Sequence, residues 1–177
     1  STKISKVEHD PNIFVWFMTL VIVGMYVLTL NNEPTTRQLG ILIPFTILTI
    51  IHILLHWYLG KIVEHPSRIL WYIFIQGVLA LVISLFSKNI GMTLALFMGL
   101  LGEAVGLFGL TRRGFLASVY YLVILAINII QFSGLPSAGS IILTTIPTSI
   151  FVVTYVTLYM RQNEAREQAQ ALASQLE

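Results

Sequence analysis

Residues 90–114 read IGMTLALFMGLLGEAVGLFGLTRRG: twenty-one residues with one ionisable side chain, Glu103, closed by a threonine, two arginines and a glycine. At about 1.5 Å of rise per residue such a run makes a helix of about 30 Å, the thickness of a bilayer's hydrocarbon core. Leucine-rich runs broken by glycine favour helices over barrel strands, which are about ten residues long and alternate in polarity. The rest of the chain is made of the same material. Its 177 residues are 56% apolar and only 10% charged, with a mean hydropathy of +0.83. A soluble domain carries roughly 25% charged residues, so a water-soluble body is excluded. Disorder is excluded too, because it needs low hydrophobicity and high charge. The sequence is that of an integral membrane protein.

Working outward from that block, six apolar stretches emerge, at about residues 13–30, 39–59, 69–86, 90–110, 115–132 and 141–160. The expected fold is therefore all-α, a polytopic bundle of six spans, with residues 1–160 as the membrane domain and 161–177 as a connector helix. That leaves no room for a large soluble catalytic domain. The breaks are chemically sensible, among them Asn31-Asn32-Glu33-Pro34, Glu64-His65-Pro66-Ser67 and Ser133-Gly134-Leu135-Pro136. The first apolar run is too long for a cleavable signal peptide, and no small-residue cleavage site follows Leu30. With no cysteine, disulfide and thiol chemistry are out; a net charge of +2 is too mild to suggest nucleic acid.

The distribution of charge sets an expected orientation. Lys3, Lys6, Lys61, Arg68, Arg112, Arg113, Arg161 and Arg166 fall on one side of the six-span arrangement, and only Arg37 and Lys88 on the other. Basic residues gather on the cytoplasmic side, so both termini are assigned to the cytoplasm. Trp16, Trp57 and Trp71 fall at span ends on that same basic side, where an amphipathic ring prefers to sit.

Ionisable residues inside spans are costly and by default suggest function. Here they are His52, His56 and Glu103. His52 and Glu103 lie equally far into spans that run in the same direction, and His56 is one turn further on, on the same helix face. Three readings stay open: a polar cluster that fixes packing, a proton- or ligand-responsive site, and a His/His/Glu metal site, a known zinc ligand set. No cofactor is expected, since bis-histidine haem needs imidazoles from opposite sides of the ring. Gln76, Asn128 and Gln131 could join this network or bond to backbone.

Gly91, Ala95, Gly99, Gly102, Gly106 and Gly109 form a narrow stripe on the fourth span. Small stripes let helices approach closely in lipid, either inside the bundle or across a dimer. Pro147 lies seven residues into the last span and marks a candidate hinge. Beyond Met160 come RQNEAREQAQALASQLE, without glycine or proline and rich in strong helix formers. Leu158, Gln162, Ala165, Ala169, Leu172 and Leu176 fit a and d positions of a heptad seam. The stretch reads as the start of a connector that continues beyond Glu177.

A multi-span module with short outer connections and a last helix ending in Arg161-Gln162-Asn163-Glu164-Ala165-Arg166-Glu167 and Ala171-Leu172-Ala173-Ser174-Gln175-Leu176-Glu177 resembles the membrane input domain of bacterial sensor histidine kinases of the DesK- and LiaS-like, NarL-partnered type. The resemblance implies a homodimer in the lipid bilayer, coupled through its parent protein to an ATP-dependent kinase core and a response regulator. It implies no catalytic residue in this chain, which has no phospho-acceptor or ATP-binding motif. The competing expectation is a small proton-coupled transporter or channel using Glu103 and His52.

Overall fold

The computed structural model describes residues 12–62 and 66–175. These form α1 (Asn12–Asn32), a 3-10 turn (Pro34–Arg37), α2 (Leu39–Ile62), α3 (Pro66–Ser87), α4 (Ile90–Phe108) and α5 (Arg112–Gln175). Lys3, Lys6 and Leu176 lie outside the described residues.

Five helices are long and apolar enough to cross a membrane, which corrects the expectation of six separate spans. The apolar blocks 115–132 and 141–160 are not separated by a loop; both lie in α5, 64 residues in which two helical limbs meet directly at a kink. The reason is in Ser133-Gly134-Leu135-Pro136, which has the composition of a connection. Inside α5 only Gly134 leaves the helical conformation, at φ 69° and ψ 160°, a region essentially reserved for glycine. Pro136 follows two residues on, within the first turn after the break, where a missing N–H costs no helical bond. One residue redirects the backbone, and helix resumes at once.

The two limbs of α5 pack differently. In the proximal limb the Tyr121 hydroxyl donates to the Ile73 carbonyl of α3 at 3.2 Å. Near its start, a Cβ on Gly114 would collide with the Gly109 carbonyl, so the chain leaves α4 through a tight turn that needs glycine. In the distal limb Ser149 reaches Met98 Sδ, and Val152 and Val156 lie over Gly102. Residue numbers rise together along these partners, so the distal limb runs parallel to α4. Phe14, at the start of α1, approaches Gly102 as well. The beginning of α1 and the late part of α5 are therefore at the same end of the bundle.

At the centre stands α4, with 61% of its apolar window buried against 17–39% for the other helices. Its small-residue stripe is what admits close neighbours: Gly91 and Gly99 face Met25 and Met18 of α1, while Gly102 and Gly106 face the distal limb. Gly109 caps α4 at φ 61°, and Ala95 is half-buried. At the other end the Asn89 side chain accepts from the Met92 N–H at 3.1 Å and satisfies an otherwise orphan donor. Arg37 caps α1 by donating to the carbonyls of Leu30 and Asn31 at 2.6 and 2.9 Å.

Large apolar side chains such as Leu20, Trp71, Leu143 and Phe151 cover the outside, while His52, Gln76 and Asn128 are fully buried. That inversion suits lipid, where polar groups must be satisfied within the protein. Four buried hydroxyls obey the same constraint. Thr29, Thr49, Thr145 and Ser149 each donate to the carbonyl four residues earlier. Helix length, composition and this arrangement are those of a membrane-embedded, polytopic all-α protein.

Candidate functional site

Three helices meet around one buried polar cluster. On α2, His52 and His56 are separated by four residues and so share a face. Both are buried, and their rings pack edge to face with centroids 4.7 Å apart. On α3, Tyr72 and Gln76 repeat the same spacing, and α4 contributes Glu103. His56 Nδ1 lies 3.0 Å from Glu103 Oε1, and His56 Nε2 lies 3.3 Å from His52 Nε2. The Tyr72 hydroxyl donates to the same Glu103 oxygen at 2.7 Å and stands 3.2 Å from His56 Nδ1. Gln76 Nε2 donates to the Tyr72 oxygen at 3.2 Å and to the His52 carbonyl at 3.3 Å.

Taking Glu103 as a carboxylate, the donor count selects one set of tautomers. The amide nitrogen of Gln76 can only donate, so Tyr72 spends its one proton on Glu103. With Glu103 as a carboxylate, His56 must carry its proton on Nδ1 to donate as well. Its Nε2 is then an acceptor, filled by Nε2–H of His52. Three side chains form one directed line, His52 to His56 to Glu103. The atoms at its two ends, His52 Nδ1 and Glu103 Oε2, are buried and have no hydrogen-bond partner.

This geometry bears on metal binding. The His56 ring stands between the other two groups and turns a nitrogen toward each, so the three donors do not converge on a point. Among the described residues, no group of three or more His, Cys, Asp or Glu side chains is placed to hold a metal ion. The His56–Glu103 contact is also the only ion-pair geometry among them.

The residues singled out from sequence are thus partly united. His52, His56, Glu103 and Gln76 share the cluster; Asn128 is fully buried on the proximal limb with neither amide atom bonded, and Gln131 is exposed. The stripe on α4 flanks Glu103 and carries α1 and the distal limb. Pro147 lies within the helical distal limb, exposed. Leu158, Gln162, Ala165, Ala169 and Leu172 are all exposed, and Leu176 is outside the described residues. Sequence reasoning missed Tyr72, the residue that ties α3 to Glu103. The signal was its position one turn before Gln76, on the face that also carries Ala80 and Ser84.

Comparison with family models, with curated proteins and with solved structures finds no match to this chain.

Proposed function

We propose that this chain moves protons, as a small membrane channel or proton-coupled transporter whose relay is His52, His56 and Glu103. The observation that carries the reading is the continuous line of contacts from His52 through His56 to Glu103, with an unpartnered buried atom at each end. A proton arriving on His52 Nδ1 makes that ring cationic. Its Nε2 proton passes to the lone pair of His56 Nε2, and the His56 Nδ1 proton passes to Glu103 Oε1. One proton has entered, each ring has exchanged one N–H for another, and the carboxylate has become a neutral acid. Tyr72 and Gln76 position the line: Tyr72 holds the accepting oxygen, and Gln76 orients Tyr72.

The site of action in this proposal is a bacterial inner membrane, with the basic ends of the helices facing the cytoplasm. The approach of both Phe14 and Val156 to Gly102 supports placing the two ends of the chain on that same side. The test is proton flux in liposomes under an imposed potential, read with an entrapped pH dye. The wild type should conduct, and Glu103→Gln should fall to the level of empty liposomes. Equal flux from both would refute the relay.

A second reading draws on a separate observation, the run of α5 past Met160 as exposed helix to Gln175. In it the chain is a homodimeric signal-input module of the sensor-kinase type, and proton loading of Glu103 shifts the distal limb that packs on neighbouring Gly102. Single cysteines at Ala165, Ala169 and Leu172 should then cross-link between chains, with intervening positions silent. Uniform absence of cross-links counts against it.

A further inference from the structure

Buried polar atoms without partners are rare in proteins and costly, and where they cluster they are commonly served by ordered water. Here the cluster has a direction. Besides the two ends of the relay, the unpartnered buried atoms among the described residues are Gln76 Oε1, Ser84 Oγ and both amide atoms of Asn128. The three residues are each 0% exposed. Gln76 Nε2 bridges the His52 carbonyl and the Tyr72 hydroxyl, so its free oxygen borders the relay. Ser84 is two turns further along α3 on the same face, about 12 Å away at the helical rise.

Asn128 falls close to Ser84 in depth. The proximal limb runs parallel to α3, and the Tyr121 hydroxyl reaches back to Ile73. A helical tyrosine leans toward its own N-terminus by about a turn, which sets the Tyr121 backbone level with Gln76 or Gly77. Seven residues on, Asn128 is then level with Ile83 or Ser84. Beyond Ser84 the polar character continues to the end of the helix: Ser87 is fully buried, and its hydroxyl donates to the Ser84 carbonyl and accepts from the Asn89 N–H. Lys88, in the same turn, is exposed.

We infer that Asn128, Ser84 and Gln76 line a file of water molecules running from the Ser87–Asn89 turn to His52 Nδ1, which delivers protons to the relay. The inference rests on the proton-relay reading and supplies its entry path. The Gln76–Ser84 stretch of about 12 Å takes about four waters at hydrogen-bond spacing near 2.8 Å, and the remaining turn to Ser87, about 4.5 Å, takes one or two more; the free atoms offer both donors and acceptors to them. The ligand is water or hydronium, and the opening faces away from the end where α1 begins.

Because the chain has no cysteine, single thiols report access directly. Ser84→Cys, Asn128→Cys and, as an apolar reference, Leu100→Cys in the fully buried face of α4 would be reconstituted in liposomes and exposed to silver ion. The fraction of thiol left free would be counted after denaturation. Ser84→Cys and Asn128→Cys should react at least about tenfold faster than Leu100→Cys; equal rates overturn the water file whatever the relay does. In flux measurements Asn128→Leu should slow proton entry about tenfold, while Asn128→Ser, which keeps a polar group, should retain most of it. If Asn128→Leu conducts normally and Glu103→Gln does not, the path is wrong and the relay stands. Normal flux through Glu103→Gln removes the relay and leaves the silver rates to judge the water file alone.

Discussion

At the scale of single residues, the site depends on how few groups can share a proton inside lipid. Glu103 Oε1 takes two hydrogen bonds, from Tyr72 and His56, and losing either leaves a buried partner unpaired. Tyr72→Phe removes one donor from the carboxylate and the acceptor that Gln76 uses. The expected cost is about 1–3 kcal/mol of stability, with proton flux reduced but not abolished, because His56 still reaches Glu103. Unfolding in mixed detergent micelles and the liposome assay would check the two halves of that expectation separately. His52, His56 and Glu103 were legible in the sequence because ionisable residues stand out in apolar spans. Tyr72 was not, since a tyrosine beside Trp71 near a span end has the composition of an interfacial belt. Only its pairing with Gln76 across one turn separates the two roles, and that pairing gains meaning once α4 is known to lie opposite.

At the scale of elements, glycine does different work at different positions, and substitution should separate them. A Cβ at Gly114 meets the backbone carbonyl of Gly109, which cannot move aside; a Cβ at Gly99 meets only the end of the flexible Met18 side chain. Gly114→Ala should therefore destabilise clearly more than Gly99→Ala. At Gly24 nothing lies within 4 Å, so Gly24→Ala should be neutral or stabilising by about 0.5–1 kcal/mol through helix propensity alone. Gly134→Ala places a side chain at φ 69° and should cost about 1–3 kcal/mol. Thermal unfolding of the four variants in one detergent gives the order directly, and a Gly24 variant weaker than the Gly114 variant would contradict it. The helices α1 to α4 follow the apolar blocks of the sequence within a few residues. The last two blocks do not stand apart, because the length of a break cannot be read from composition: four turn-forming residues suggested a loop where one glycine suffices.

At the scale of the whole molecule, polar chemistry sits in the middle and apolar surface on the outside, and α4 holds the arrangement together. The packing of both Phe14 and the distal limb against Gly102 predicts that tags placed before Asn12 and after Gln175 are cleaved from the same face of sealed vesicles. Cleavage from opposite faces would break the link between charge distribution and fold. The proton relay itself is tested most directly by nitrogen-15 NMR of labelled histidine in bilayers, with His52 and His56 assigned by single replacement. At alkaline pH the His56 proton is expected on Nδ1 and the His52 proton on Nε2. As the pH is lowered and a proton enters the line, the pair should exchange together, to Nε2–H on His56 and Nδ1–H on His52. Two rings that keep their tautomers unchanged would contradict the relay.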